Sequence, residues 1–244
     1  MYSFSGRVRY SECDETGRLS LVSMMNYLQD CSTFQSMELG GGLDGMGSRG
    51  LAWVLANWMV EIDRLPEFGE GVTASTWCYE MTRAHALRNF QIADDQGRPI
   101  VRADSQWFVF DAARGHATRV PEDQLVYFTH ESRLEMSPLP KRLRTQGEGQ
   151  QAPARTVARC DLDTNRHVNN ANYVRFATDA LAALGVEAPV GRLQVQYRTM
   201  AFAGDEVLPV VSACEDGWDV RLEGSQGVTF AVVRLQSARR GVEL

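Results

Sequence analysis

The amino-acid sequence predicts an α+β fold built from two tandem units, each with one long helix and an antiparallel β-sheet. Three observations support this prediction. The two halves of the 244-residue chain resemble each other, each half has apolar residues at helical spacing after a polar turn, and strand-like runs follow each helix. One helix followed by a run of strands, twice over, indicates two α+β units and not alternating strands and helices.

The internal repeat is visible in two ungapped alignments. The stretch 9–30 aligns with 158–179, and the stretch 60–72 aligns with 195–207. Because the two matches occur in the same order along the chain, duplication of a unit explains them better than chance does.

The repeat divides the chain into three predicted ranges. We assign 1–125 to an N-terminal unit and 156–244 to a C-terminal unit. The range 126–155 lacks clear periodicity and includes the stretch TQGEGQQAPA, so we predict that it connects the two units.

Each unit is predicted to contain one helix. Apolar residues recur at helical spacing over 21–31, and the pattern ends before Gly40. In the second half the same pattern covers 168–184 and ends before Gly185. Both helices carry broad apolar faces, as expected of a helix that packs on a sheet.

Strand-like runs separated by turn residues follow each helix. Alternating apolar residues and the turns DDQG, EDG and SQG favour antiparallel pairing. The runs are 51–63, 71–80, 85–97 and 98–111 in the first half, and 192–200, 206–217, 218–227 and 228–238 in the second.

Composition and charge exclude several classes of protein. With 44% hydrophobic and 23% charged residues, the chain is typical of a soluble globular protein. The first ten residues lack a basic stretch followed by an apolar one, and the longest apolar stretch, 50–60, is too short to span a bilayer. Five scattered cysteines suit a reducing compartment, so we expect a cytoplasmic protein without a membrane span. The net charge of −6 argues against a nucleic-acid partner.

A dense polar cluster, DLDTNRHVNN, occupies 161–170 at the start of the second helical pattern. If the chain approaches the helix in an extended conformation, Asp163, Asn165 and His167 alternate onto one side and bring a carboxylate, an amide and an imidazole together. Free N–H groups at the start of the helix suit a developing oxyanion. Asn169 and Asn170 are candidates both for capping the helix and for contacting a substrate.

The same cluster has the opening of a calcium-binding loop, D-x-D-x-N. That loop needs Gly at the position of Arg166 and Glu at the position of Asn172, so the pattern fails twice. We therefore predict neither a metal site nor a cofactor.

The counterpart of this cluster in the first half lacks its chemistry. Asp14 aligns with Asp163, but Arg18 stands where the second half has His167. We predict that Glu12 and Asp14 cap and orient the first helix, and that the chemistry is confined to the second unit.

These segments resemble the acyl-acyl carrier protein (acyl-ACP) thioesterases, a family whose chains carry two tandem hotdog domains. In a hotdog domain an antiparallel sheet wraps around a long helix. The resemblance covers nearly the whole chain, and it implies an α+β double hotdog. The segments that carry it are DLDTNRHVNNANY (161–173), which is the most specific, and YSECDETG (10–17), WMVEIDRLPEFGEGV (58–72), STW (75–77) and SQWFVFD (105–111).

The resemblance assigns catalytic roles to the residues that match Asp163, Asn165 and His167. A thioester needs little activation, so a positioned water, one general base and an oxyanion pocket can suffice. We predict that His167 and Asp163 handle protons and orient the attacking water. Asn165 and the helix N–H groups are predicted to stabilise the carbonyl oxygen.

One position departs from the family pattern. Plant members carry a further acid on a later strand, within Tyr-Arg-Arg-Glu-Cys, whereas this chain has YRTMA (197–201) with Met200 at the place of the acid. Methionine cannot abstract a proton or attack an acyl group. Either Asp163 is the principal carboxylate, or catalysis is weak or absent. Asp205 and Glu206 lie nearby but fall on the predicted turn of the repeat.

The resemblance also gives the N-terminal unit the role of holding the acyl chain. Plain core packing is the alternative for each candidate, because the helical residues are spaced as a core-facing stripe. The candidates are Met24, Met25, Leu28, Trp53 and Trp58.

Acyl carrier proteins are acidic, so a docking face for one is expected to be locally basic. A solvated linker is the alternative explanation for the same residues. The candidates are Lys141, Arg142, Arg144, Arg155 and Arg159.

The leading hypothesis is hydrolysis of fatty acyl-ACP thioesters, whose acyl chain is linked through phosphopantetheine, to free fatty acid in the cytoplasm. A second hypothesis replaces the carrier with coenzyme A. A third is an acyl-thioester binding or sensing protein that has lost catalysis at Met200. Because tandem units supply within one chain the pairing that single hotdogs gain by dimerising, both a monomer and a homodimer are compatible with the sequence.

Overall fold

In the computed structural model, which describes residues 1–40, 46–145 and 148–238, the chain divides into two compact units. Unit 1 contains Met1–Trp58 and Arg64–Leu139, and unit 2 contains Met59–Asp63 and Pro140–Leu244. Parts of the three ranges predicted from the sequence, namely 41–45, 146–147 and 239–244, lie outside the described residues.

Unit 1 combines one long helix, α1 (Leu21–Glu38), with an antiparallel sheet. Its strands are β1 (Tyr2–Arg7), β3 (Gly71–Met81), β4 (Ala86–Asp94), β5 (Pro99–Asp111), β6 (His116–Thr118) and, as far as Trp58, β2 (Leu51–Ile62). The order across the sheet is β1-β3-β4-β5-β2, with β6 beside β5. The pairs β1–β3, β3–β4 and β4–β5 are antiparallel, and α1 packs on β1, β3 and β4.

The sequence explains where α1 begins and ends. The Ser20 hydroxyl accepts the N–H of Ser23 at 3.1 Å and caps the first turn. The helix buries an apolar face that includes Met24 and Leu28. After the last turn, Gly40 adopts a φ of 80°, which suits glycine and stops the helix where the sequence predicted.

Unit 2 repeats this arrangement with helix α2 (Asn170–Ala183). Its strands are β7 (Gln150–Gln151), β8 (Arg155–Thr156), β9 (Arg192–Tyr197), β10 (Glu206–Cys214), β11 (Gly217–Glu223) and β12 (Thr229–Gln236). The order is β9-β12-β11-β10-β7, with β8 beside β10, and these pairs are antiparallel. Helix α2 packs on β10, β11 and β12, and it ends before Gly185 at a φ of 71°.

Each unit by itself is therefore a hotdog, which confirms the predicted α+β fold with two tandem units. The fully buried side chains of Phe90 in unit 1 and Phe176 in unit 2 belong to their cores. Within the described ranges, no helix combines the length and apolarity that crossing a bilayer requires.

The first part of the predicted connection packs on the sheet of unit 1. The Trp77 indole N–H donates to the carbonyl of Ser132 at 3.0 Å, and the N–H of Leu134 donates to Asn89 Oδ1 at 2.8 Å. The Arg133 guanidinium binds the buried carboxylate of Asp104 at 3.0 Å. These contacts join residues far apart in sequence, so no local pattern could have predicted them.

Candidate active site

The chemistry-bearing cluster forms a tight turn directly before α2. The N–H of Asp163 donates to the carbonyl of His167 at 2.9 Å, and the N–H of Arg166 donates to the carbonyl of Asp163 at 3.0 Å. Leu162 and Val168 form an antiparallel bridge beyond the turn. The chain therefore reverses direction between Asp163 and His167 and does not approach the helix in an extended conformation.

This turn brings Asp163 and His167 together. His167 Nδ1 lies 3.3 Å from Asp163 Oδ2, and the two side chains keep 23% and 14% of their surface exposed. The other carboxylate oxygen of Asp163 accepts the N–H of Asn165 at 2.8 Å. A carboxylate held in this way orients the imidazole and leaves Nε2 as the proton acceptor.

The alternation that was predicted to place Asn165 beside these groups is wrong. The Asn165 side chain is exposed, and its backbone N–H, not its amide, contacts Asp163. The physical reason is the reversal of the chain at Arg166, which has a φ of 65°. The structure therefore joins two of the three predicted catalytic residues, and a catalytic role for Asn165 stays a prediction.

The two asparagines after the turn have different structural roles. Asn169 caps α2, because its Oδ1 accepts the N–H of Ala171 at 3.0 Å. The carbonyl of Asn170 accepts the Tyr197 hydroxyl at 3.0 Å. The N–H of Asn172 also donates to the carbonyl of Asn169, so two N–H groups of the first turn are occupied and cannot bind an oxyanion. Contacts of Asn169 and Asn170 with a substrate stay predictions.

Tyr173 lies within the predicted helical pattern 168–184, and the structure brings its hydroxyl to the segment that follows Met200. Its hydroxyl oxygen accepts the N–H of Ala201 at 3.1 Å, and the carbonyl of Ala201 accepts the N–H of Val168 at 2.9 Å. Burial raises the pKa of Tyr173 to about 12, and the charges of Asp163 and Asp205 act in the same direction. Tyr173 is the last residue of the segment that carried the family resemblance, and this position was the available signal.

Met200 lies in a cleft of unit 2 that also contains carboxylates. The cleft has a volume of about 280 Å³ and is lined by Thr199, Met200, Asp205, Glu206, Ser225, Val228 and Phe230. Asp205 Oδ2 accepts the N–H of Phe202 at 2.9 Å and so stabilises the predicted turn. Phe202 forms an antiparallel bridge with His167, which places this turn beside the imidazole-bearing residue.

The first-half counterpart is a structural turn. Asp14 Oδ1 accepts the Thr16 N–H at 2.9 Å and the Thr16 hydroxyl at 2.6 Å, so the carboxylate organises its own turn. The predicted capping of α1 by Asp14 is wrong, because Ser20 is the cap. Glu12 does orient the helix, since its Oε2 accepts the hydroxyl of Tyr27 at 3.0 Å.

The residues predicted to line an acyl tunnel lie inside unit 1. Met24, Met25 and Leu28 are buried on α1, as core packing requires. The Trp53 indole N–H donates to Gln124 Oε1 at 2.9 Å, and the Trp58 ring packs 4.8 Å from the Phe90 ring. Contact of these residues with an acyl chain stays a prediction.

Arg166 occupies a conformation that its unit 1 counterpart fills with glycine, since Gly17 has a φ of 77° and Arg166 a φ of 65°. We expect Arg166→Gly to raise the free energy of unfolding by about 0.5–1 kcal/mol, because glycine adopts this region without strain. The reverse change, Gly17→Arg, is expected to lower it by about 1 kcal/mol. Urea unfolding measures both, and equal signs for the two changes would contradict the strain at Arg166.

Comparison with known proteins places both halves of the chain in one family. Residues 1–128 match the family model of the acyl-ACP thioesterase N-terminal domain, and residues 146–229 match that of the acyl-ACP thioesterase C-terminal domain. A chloroplastic acyl-[acyl-carrier-protein] hydrolase of Cuphea viscosissima is 26% identical over 248 residues, covering 96% of this chain and 58% of the relative. The chain thus spans little more than half the length of this curated relative.

Solved structures show the same fold. An acyl-ACP thioesterase from Bacteroides thetaiotaomicron superimposes with a TM-score of 0.86 at 21% identity, with 96% of each chain covered. A protein described as an oleoyl thioesterase from Lactobacillus plantarum superimposes with a TM-score of 0.85 at 24% identity, covering 98% of this chain and 97% of the other. At these identities the likeness concerns the fold alone.

Proposed function

The chain belongs to the acyl-ACP thioesterase family, and we propose that it hydrolyses fatty acyl-ACP thioesters to free fatty acid and carrier protein. The observation that carries the proposal is the Asp163–His167 pair in the turn before α2, at 3.3 Å. The names of the curated relatives, which are acyl-carrier-protein hydrolases and thioesterases, support the same substrate class.

The pair accounts for each proton in the reaction. His167 Nε2 accepts a proton from water while Asp163 holds Nδ1 and stabilises the resulting imidazolium. The water oxygen bonds to the thioester carbonyl carbon, and the carbonyl oxygen becomes an oxyanion. When the C–S bond breaks, the carbonyl re-forms and the imidazolium returns the proton to the thiolate. The products are a carboxylic acid and the thiol of the carrier.

Met200 makes Asp163 the principal carboxylate in this proposal. The side chain of Asp163 is partly buried beside His167, whereas methionine at position 200 supplies no base. A carboxylate that orients an imidazole does not need a second acid, because the imidazole itself transfers the proton. We propose the cytoplasm as the compartment, on the composition and scattered cysteines alone.

Turnover assays on matched acyl-ACP and acyl-CoA series test the proposal. We expect the wild-type protein to hydrolyse acyl-ACP with a higher kcat/KM than acyl-CoA of the same chain length. Equal or higher kcat/KM for acyl-CoA would favour the coenzyme A thioesterase. Binding of acyl-ACP without release of fatty acid would favour the sensing protein, for which Met200 is the supporting observation.

A further inference from the structure

The second part of the predicted connection lies on the polar face of the unit 2 sheet. Leu143 is only 2% exposed. Its N–H donates to Gln196 Oε1 at 3.4 Å, and its carbonyl accepts Arg198 Nη2 at 3.2 Å. The carbonyl of Arg144 accepts Arg234 Nη2 at 3.0 Å. We call residues 141–145 the strap, because side chains of the sheet hold its backbone in place.

The strap brings together cations that the sequence places far apart. Lys141, Arg142 and Arg144 are exposed on it, and the exposed Arg198 follows the end of β9. Partial shielding from water lowers the pKa of Arg198, although the residue is exposed, and the like charges of Arg142 and Arg221 lower it further. We call Lys141, Arg142, Arg144 and Arg198 the basic patch.

The carboxylates on this face are already engaged with other arginines. Asp219 binds Arg234 at 2.6 Å, and Glu223 binds Arg221 at 2.8 Å. Within the part of the chain that the structure describes, no carboxylate forms an ion pair with a residue of the basic patch. A local excess of positive charge therefore persists in a chain whose net charge is −6.

The basic patch lies close in sequence and space to the candidate active site. Arg198 precedes Met200, a residue of the unit 2 cleft, by two positions, which span at most about 7 Å of extended chain. Ala201 follows, and it is hydrogen-bonded to Tyr173 and Val168. A partner bound at the patch is thus held next to the turn that carries His167.

We propose that the basic patch docks the acidic surface of the acyl carrier protein while its acyl thioester reaches the Asp163–His167 pair. This inference rests on the proposed function. Complementary charge speeds encounter and fixes orientation, and a carrier that must be engaged and released at each turnover needs this kind of contact more than a large apolar one.

The proposed surface differs from the one expected from the sequence. Arg155 is engaged elsewhere, since its guanidinium binds Asp179 at 2.9 Å and lies 3.9 Å from the centre of the Phe176 ring. Arg159 lies on the short helical turn Arg159–Asp161 and not on the strap. Arg198 joins the surface because the strap carries Arg142 to it, which sequence spacing does not reveal.

The test compares two double charge reversals of equal size, Arg142→Glu/Arg144→Glu in the patch and Arg83→Glu/Arg119→Glu on exposed positions of unit 1. We expect the patch variant to raise KM for acyl-ACP about tenfold with kcat unchanged, and the unit 1 variant to leave both unchanged. Hydrolysis of the acyl-pantetheine, which lacks the protein, is expected to be the same in all three. The difference should shrink in high salt.

Binding of holo carrier protein without an acyl chain separates this inference from the proposed function. We expect the wild type to bind it at low salt and the patch variant to bind about tenfold more weakly. Binding of the carrier without hydrolysis of acyl-ACP by the wild type would contradict the proposed function and would still support the docking surface. No binding by the wild type, equal losses in both double variants, or an equal loss on acyl-pantetheine would each overturn the docking surface. Arg142→Gln/Arg144→Gln, with a smaller change of charge, is expected to give an intermediate loss and replaces the reversal if that variant does not fold.

Discussion

Replacement of His167 with alanine is expected to lower kcat for acyl-ACP hydrolysis by about 10²–10⁴-fold, with little change in KM. This is the range that a positioned general base contributes, and His167 is the imidazole held beside Asp163 at 3.3 Å. KM should change little because the imidazole acts on water and not on the acyl chain or the carrier. Steady-state kinetics with one acyl-ACP, at equal amounts of folded protein, measure both parameters.

Asp163→Asn changes the carboxylate partner of the same pair. Asparagine keeps the shape of the side chain but removes the charge that stabilises an imidazolium, so we expect a loss of kcat of about 10²-fold or more. The matched control is Asp14→Asn in unit 1, where the same turn organises Thr16 and no imidazole is present. That control should leave kcat unchanged. If Asp163→Asn and His167→Ala both keep wild-type kcat, the Asp163–His167 pair is not the catalytic group.

The repeat made the fold predictable from the sequence. Each half has the same order of turn, helix and strands. A segment whose pattern is ambiguous in one half could therefore be assigned from the aligned segment in the other half. The helix ends were predictable because Gly40 and Gly185 are the glycines that follow the two helical patterns, and both adopt positive φ. The repeat also separated structural residues from catalytic candidates. Asp161 aligns with an acid, Glu12, and so belongs to the shared fold, whereas His167 aligns with Arg18 and is specific to the second unit.

The parts that the sequence did not reveal depend on backbone conformation or on distant contacts. The chain reverses at Arg166, which has a positive φ, so the backbone N–H of Asn165 contacts the carboxylate of Asp163 while its side chain is exposed. Arginine gives no signal for that conformation. The helical spacing of Tyr173 is explained equally well by core packing and by a role in the site. Only its contact with Ala201 distinguishes the two. The strap contacts Gln196 on β9 and Arg234 on β12, which lie more than fifty positions away in sequence.

Asp219→Ala is expected to lower the free energy of unfolding by about 3 kcal/mol, more than the substitutions proposed at Arg166 and Gly17. Asp219 is fully buried and binds Arg234 through both oxygens, at 2.6 and 2.7 Å. Removal of one partner leaves a mostly buried guanidinium without a counter-charge, which costs about 3–5 kcal/mol. The lower end applies because Arg234 keeps 21% of its side-chain surface exposed and can gain some water.

Urea unfolding followed through tryptophan fluorescence measures this loss, and Trp218 directly precedes Asp219 on β11. Asp123→Ala is the matched control, because Asp123 pairs with Arg49 and the two side chains are 55% and 42% exposed. Water screens this pair, so the loss of stability should be much smaller. The double variant Asp219→Leu/Arg234→Met should recover most of the stability, since it removes the unpaired charge along with the pair. Equal losses for Asp219→Ala and Asp123→Ala would show that burial of the pair does not decide its contribution. A double variant as unstable as Asp219→Ala would contradict the assignment of the loss to the unpaired guanidinium of Arg234.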